Sequence, residues 1–228
     1  MKNLMTDSLF TAQDLMRRVE QKQSFMKVAD EFDSGGLPLS GDHALNPQWT
    51  ASHVMAGADP RLKIKLKPAA VLIPVVDHGD HASVLLTTRN AQMRSHSGQV
   101  AFPGGKIDAE DLSPEHAALR EAHEEIGLDA RQTQTLGRLP QYMTGSGYTI
   151  TPVLAVIRTP FELHANPDEV ADIFEVPLHF LMDPREHQRE SRIFAGHERF
   201  FYAIHYQNRN IWGATAGIIR SLYERLYA

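Results

Sequence analysis

The sequence predicts an α+β fold. Runs of β-type residues and helical stretches follow one another without the regular βαβ alternation of a doubly wound sheet. Of the 228 residues, 42% are hydrophobic, enough to fill a real core. No internal repeat or low-complexity run breaks the chain. At about 100 to 200 residues per domain, this length suits one domain or a domain with an arm.

The elements follow in order. Leu9, Phe10, Leu15, Met16, Val19, Phe25, Met26 and Val28 recur through residues 9–31 and predict one or two amphipathic helices. Residues 33–60, rich in Gly, Pro, Ser, Asp and Asn, read as an irregular connector. Together these segments form an N-terminal helical arm over residues 1–60, ahead of a main domain at 61–228. Leu62–Lys67 alternates apolar residues with lysine, as a half-buried strand does. The lysines read as the solvated face of an edge strand, where they discourage aggregation. Ala69–Val76 and Ser83–Thr88 read as buried strands meeting at a turn around His78-Gly79-Asp80. Beyond Leu128, strands are expected at Thr133–Leu139, Tyr148–Val156 and Ile173–Val176, with a turn of helix at Pro177–Met182. Arg192–Ala195 and Phe200–Tyr206 predict a hairpin about Gly196-His197, and Gly213–Leu226 a final helix.

The segment that carries chemistry lies between these strands. Gly104-Gly105 follows the apolar run Val100–Pro103, and a helix is expected after Ser113, a suitable N-cap with Pro114 at the first helical position. Glu115 in the first turn suits the helix dipole, and Gly127 suits a left-handed C-cap. Glu121, Glu124 and Glu125 stand at i, i+3 and i+4, an arc of roughly 100° on one side of that helix. Leu119, Ala122 and Ile126 fall on the other side and can pack inward. Like charges at these spacings repel by a few tenths of a kcal/mol per pair. Either the arc is a solvated acidic face, or a hard divalent cation with oxygen ligands compensates it. Arg120 can pair with Glu124 or orient a neighbouring carboxylate.

The run REAHEEIGL, through Arg120, Glu121, Glu124, Glu125, Gly127 and Leu128, resembles the Nudix box of hydrolases that cleave a nucleoside diphosphate linked to another group. The N-terminal half of the box departs from the pattern: counting from Gly105, the acidic position falls on Asp111 instead of glutamate, and the box is one residue long. Upstream, Leu85–Gly105 resembles the additional signature of coenzyme A pyrophosphatases within that superfamily, through Arg89, Arg94, His96, Gly98, Gln99, Phe102 and Pro103 among others. Ile211–Ala216 resembles the helix that ends members of the same subfamily. The resemblance covers roughly residues 68–220.

It implies an α/β/α sandwich with a mixed β-sheet. It also implies Mg2+ or Mn2+ held by Glu121, Glu124, Glu125 and the carbonyl of Gly105, with Arg120 beside them. Glu169 is a further candidate acid from a loop beyond the box, or simply a helix-start glutamate after Pro167. Arg89 and Arg94 are candidate phosphate contacts, since guanidinium suits that geometry. Gly98 lets the backbone turn tightly. His96 and Gln99 complete the candidate binding set, with a surface loop as the plain reading of His96. His116 and His123 read as solvent-facing, because magnesium prefers oxygen. Tyr142, Tyr148 and Trp212 could stack on adenine, with core packing the expectation for Trp212.

The implied reaction splits coenzyme A or acyl-CoA into adenosine 3′,5′-bisphosphate and a 4′-phosphopantetheine product. The alternatives are another nucleoside diphosphate derivative, such as ADP-ribose or a dinucleotide, or a non-catalytic ligand sensor. Net charge is −5, so no nucleic-acid surface is expected, and a polyanionic substrate must be met by local arginines and a metal. Without cysteine there is no disulfide, thiolate zinc site or cysteine nucleophile. No signal-like or membrane-spanning run occurs, so the expected location is the cytoplasm. A homodimer is left open.

Overall fold

The computed structural model describes residues 9–22, 40–46, 66–93, 96–194 and 196–228. In chain order its elements are α1 (Ala12–Gln21), β1 (Ser40–Gly41), α2 (Asp42–Leu45), β2 (Lys67–Asp77), β3 (Ala82–Arg89), β4 (Val100–Ala101), β5 (Gly104–Lys106), α3 (Pro114–Ile126), β6 (Thr133–Arg138), β7 (Tyr142–Met143), β8 (Tyr148–Arg158), β9 (Val170–Pro177), α4 (Leu178–Leu181), β10 (Gln188–Phe194), β11 (His197–Tyr206), β12 (Arg209–Trp212) and α5 (Ala214–Leu226).

The longest apolar runs become the central strands. β2 and β8 lie parallel over their full length, from Lys67 opposite Tyr148 to Asp77 opposite Arg158. Along its other edge β2 is shared: β3 pairs with it at Val75–Asp77, and β5 at Ala69–Val71. The sheet therefore splits on that edge, and the split admits the glycine loop. β9 extends the sheet antiparallel to β3, while β6 and β7 pair antiparallel with β8. β10, β11 and β12 form a separate antiparallel sheet.

Period-two alternation divides the burial between two cores. Ala70, Leu72 and Val76 of β2, Leu85 of β3, and Val153, Ala155 and Ile157 of β8 pack with Ala117, Ala118, Ala122 and Ile126 of α3. Ile73 and Val75, Val84 and Leu86, and Leu154 and Val156 face the opposite way, toward α1 and α5. Three alanines on the inner face of α3 let its backbone approach the sheet closely. The result is a mixed sheet between helical layers, an α+β fold of the α/β/α type, with α1 joining the second core through Ala12, Leu15 and Val19. Thr11 caps α1, and its Arg18 donates to the carbonyl of Leu226 at 3.0 Å, tying the N-terminal helix to the end of α5.

Two expectations are corrected. Ile211 and Trp212 are not helical: they end strand β12, paired with Ile204 and Ala203, and α5 begins only after Gly213, whose φ of 64° suits glycine. The described part of the connector, residues 40–46, is ordered as β1 and α2, because the Asp42 carboxylate accepts hydrogen bonds from Tyr142 at 2.7 Å and from the Gly145 amide at 2.8 Å. Of the lysine-alternating run, only Leu66 and Lys67 fall among the described residues, and Lys67 opens β2. Arg94 and the residues after Lys22 in the expected helical region lie outside them.

Candidate active site

The acidic helix is built as its sequence directs. The Ser113 hydroxyl accepts the His116 amide at 3.2 Å, Pro114 begins the helix, and Gly127 ends it at φ 70°. Glu115 holds Arg138 of β6 through a two-pronged ion pair, which fixes the start of α3 against the sheet.

The three glutamates span a gradient of burial. Side-chain exposure falls from 52% at Glu124 to 16% at Glu121 and 3% at Glu125. Helical geometry explains the order: Glu125 lies seven residues from Ala118, almost directly over that buried alanine, and Glu124 lies at the outer end of the arc. Glu125 Oε2 accepts the Gly104 amide at 3.1 Å, and its Oε1 lies 3.6 Å from the Arg89 guanidinium. Burial pushes its carboxyl up to about 7; Gly104 and Arg89 oppose that rise, and Glu121 and Glu169 add to it. Glu121 is raised as well, by burial first. It lies so close to Gly105 that a Cβ there would sit 2.5 Å from the glutamate Cδ. Only glycine allows this approach.

Arg120 organises the outer side. Its guanidinium donates to both oxygens of Asp111 at 3.1 and 2.9 Å, to Glu121 at 3.0 Å, to Glu124 at 3.2 Å and to the Lys106 carbonyl at 3.1 Å. The Asp111 side chain is 1% exposed, accepts the Asp108 amide at 2.9 Å, and also contacts His116 Nδ1. Its carboxyl is held well below the usual range, chiefly by the Arg120 hydrogen bonds. The turn from Asp108 to Asp111 thus delivers the shorter acid to Arg120 despite the extra residue. His116 is spent on that acid, and its side chain is half exposed.

Glu169 reaches the cluster by a route invisible in the sequence. The carbonyls of Glu125 and Ile126, left open at the helix end, accept the amides of Asn166 at 2.8 Å and His164 at 2.9 Å. This docks the loop before β9 onto α3. Glu169 in that loop then raises the carboxyls of both Glu121 and Glu125. Its side chain accepts from Asn166 at 3.4 Å.

The upstream residues converge as well. At the mouth of the 90–99 loop the Arg89 amide donates to the Gln99 carbonyl and the Gly98 amide donates to the Arg89 carbonyl, with Gly98 at φ 69°. His96 Nδ1 lies 2.9 Å from Gln99 Oε1. Arg89 Nε is buried with no hydrogen-bond partner among the described residues. Arg89, His96, Gln99 and Gly104 all line one cleft of about 930 Å³, which runs toward Phe194, Trp212 and the β10–β11 hairpin. Trp212 is half-buried and lines this cleft instead of filling the core, a correction that follows from its place at the end of β12. Sequence reasoning missed Arg192 and Arg199 of the hairpin, which line the same cleft.

A metal's fit can be judged from these donors. Oxygen-only, partly buried carboxylates that repel one another suit a hard divalent cation. Among the described residues, no three Asp, Glu or His side chains are already gathered as a ligand set, since Glu124 is turned to Arg120. Glu121, packed against Gly105, and the buried Glu125 form the inner part of the arrangement. No helix among the described residues is long and apolar enough to cross a membrane.

The chain is similar to several known proteins. The NUDIX domain family matches residues 65–196. The chain is 40% identical over 166 residues to a protein of Photorhabdus laumondii named uncharacterized Nudix hydrolase NudL, covering 73% of this chain and 88% of that protein. A protein of the same name from an Enterobacter species is 42% identical over 161 residues, covering 68% and 81%. A Nudix hydrolase crystal structure from M. smegmatis, RenU, is 31% identical over 50% of this chain and 72% of that one, with a TM-score of 0.39. By the family match and the identity to these relatives, the chain belongs to the Nudix hydrolase family.

Proposed function

We propose that this Nudix hydrolase cleaves the pyrophosphate bond of coenzyme A or acyl-CoA, with water as nucleophile, to give adenosine 3′,5′-bisphosphate and 4′-phosphopantetheine or its acyl form. The observation that carries the reading is the junction of two features at one cleft wall. Arg89, which lines the cleft with His96 and Gln99 from the loop that resembles the coenzyme A signature, lies 3.6 Å from the buried Glu125.

A diphosphate linkage resists attack by water because its oxygens are negatively charged, so the site must neutralise charge and orient the nucleophile. Magnesium or manganese, when bound, supplies Lewis acidity toward phosphate oxygens and lowers the pKa of water. Glu121, Glu124, Glu125 and the Gly105 carbonyl would hold it. Arg89, whose guanidinium lies beside Glu125 on the cleft, neutralises a phosphate oxygen. Arg120 acts through Glu121 and Glu124, holding their carboxylates in place. Glu169, on the loop before β9, is a candidate with the helix glutamates to take a proton from the attacking water.

A kinetic panel tests the substrate. With Mg2+ or Mn2+, kcat/KM for coenzyme A should exceed that for ADP-ribose, NADH and nucleoside triphosphates. Faster hydrolysis of ADP-ribose or a dinucleotide would replace the coenzyme A reading with the general nucleoside diphosphate one. A chain inert toward the whole panel would be a ligand sensor.

A further inference from the structure

The β10–β11–β12 sheet is separate from the main sheet, so packing and side-chain ties decide where it stands beside the cleft. At one end Arg209 donates to the Thr88 hydroxyl at 3.1 Å and to Asp172 at 2.5 Å, which fixes β12 to β3 and to β9. Nearer the hairpin tip, β11 meets a different partner. β12 covers one edge of β11 from Tyr206 to Ala203, and the Gly213 amide takes the Tyr202 carbonyl at 3.1 Å before the chain turns into α5. Peptide groups two residues apart lie on the same edge of a strand, so Phe200 is the next to be paired there. Its amide donates to Asn46 Oδ1 at 2.8 Å, and its carbonyl accepts from Asn46 Nδ2 at 3.0 Å. A side-chain carboxamide thus continues the ladder where β12 has left it.

Asn46 belongs to a segment whose other end is fixed to the main sheet. Its Nδ2 also donates to the Asp42 carbonyl at 2.6 Å, and the Asp42 carboxylate accepts the Tyr142 hydroxyl and the Gly145 amide. Tyr142 is itself buried in β7, with its hydroxyl so close to Gly217 of α5 that a Cβ there would collide with it. Just before Asp42, β1 pairs in parallel with β7. Residues 40–46 therefore join the β7–β8 turn to the β10–β11 hairpin by hydrogen bonds at both ends. Asn46 is 3% exposed, so water does not compete for its bonds. Asp42, Asn46, Gly145 and Phe200 line the same cleft as Arg89 and Gly104.

We propose that residues 40–46 act as a clasp that sets the width of this cleft, with Asp42 and Asn46 as positioning residues for the part of the substrate beyond its diphosphate. The proposal rests on the reading that the diphosphate lies at Glu121, Glu125 and Arg89, and it holds for coenzyme A or any other nucleoside diphosphate derivative. The β7–β8 turn and the hairpin belong to different sheets, and a fixed separation between them gives the nucleoside two walls at once. A wall that moves freely must be ordered when the ligand binds, which weakens binding; a wall already in place avoids that loss. The clasp therefore acts on affinity and leaves the chemistry at α3 alone.

Titration calorimetry on the full chain with Mg2+ tests this with two non-hydrolysable ligands. α,β-Methylene-ADP carries a nucleoside, whereas methylenebisphosphonate is the diphosphate end alone. The parent should bind the nucleotide more tightly. Asn46→Ala and Asp42→Ala should each weaken α,β-methylene-ADP by about 5- to 20-fold and leave methylenebisphosphonate within about twofold. The double variant should lose little more than the worse single variant, since both breaks free one segment. Asn46→Asp keeps the size and the acceptor but sets a charge against two carbonyl oxygens, so it should lose as much as alanine. Asp42→Asn keeps an acceptor for the Gly145 amide and should lose less than Asp42→Ala. In turnover of coenzyme A the loss should appear in KM, with kcat within about twofold. A parent that does not prefer the nucleotide, an equal loss on both ligands, unchanged affinity for both, or full rescue by Asn46→Asp would overturn the proposal. Where Asn46→Ala fails to fold, the parent preference and Asp42→Asn decide. The expected nucleotide loss in a protein that does not hydrolyse coenzyme A sinks the substrate reading and leaves the clasp standing.

Discussion

Replacing Glu125 with glutamine should stabilise the metal-free protein while abolishing hydrolysis. In the folded chain the Glu125 carboxyl rises from 4.5 to about 7, because burial disfavours its charge. A carboxyl raised on folding binds its proton more tightly in the folded than in the unfolded state. Its contribution is therefore fully present below about pH 4.5 and is lost as the pH climbs to about 7. That difference is worth roughly 3 kcal/mol at pH 8. Glutamine removes the charge and can still accept the Gly104 amide, but it gives up the ion pair with Arg89. A net gain of about 1–2 kcal/mol remains, or roughly 2–8 °C in Tm for a chain of this size. The assay is a pair of thermal melts in chelator, at pH 5 and pH 8, for parent and variant. The variant should melt higher at pH 8 and show little or no advantage at pH 5. A variant that melts no higher at pH 8, or gains equally at both values, would refute the argument that Glu125 is a buried, self-repelling charge. Retained turnover would remove it from the metal shell.

Other variants probe the supports around it. Arg120→Met leaves Asp111 buried without its cation and should cost about 2–4 kcal/mol near neutral pH, read by denaturant unfolding. Because the Asp111 carboxyl is depressed in the folded state, its contribution is present above about pH 4 and is lost as the pH falls. The difference between parent and Arg120→Met should therefore shrink on acidification, and a difference independent of pH would contradict the pairing. Gly105→Ala should keep the fold but lower kcat at least about tenfold, since its Cβ would displace Glu121, the mobile end of a side chain. Gly104→Ala should instead fail in stability, because its φ of 154° is glycine territory and its Cβ would lie 2.4 Å from the Ala70 carbonyl oxygen. Equal melting temperatures for these two alanine variants would contradict the contrast.

The helix was legible because its signals are local. Ser113, Pro114 and Gly127 announce its ends, and the spacing of Glu121, Glu124 and Glu125 fixes their shared arc. What spacing could not show is the gradient across that arc, which depends on which glutamate lies toward the sheet and which faces solvent; Ala118 beneath Glu125 decides it. The central strands were legible from their apolar runs, though each extends beyond the run, as β2 does from Lys67 to Asp77. Glu169 could be nominated but not placed, because its position depends on a loop binding the open carbonyls of α3. Asp111 in place of glutamate and the extra residue departed from the motif, yet the turn at Asp108 brings that acid to Arg120. Trp212 was misread because strand β12 is only four residues long and runs straight into a helix. Arg192 and Arg199 gave no signal at all, since their pairing exists only in the register of a hairpin.

The most direct test of the central claim is product analysis after incubation of coenzyme A with the protein, with Mg2+ or Mn2+ and in parallel with a chelator. The account predicts adenosine 3′,5′-bisphosphate and 4′-phosphopantetheine in equal amounts, formed only where the divalent cation is present. Coenzyme A recovered intact in the presence of either cation, or cleaved equally in the chelator, would contradict it.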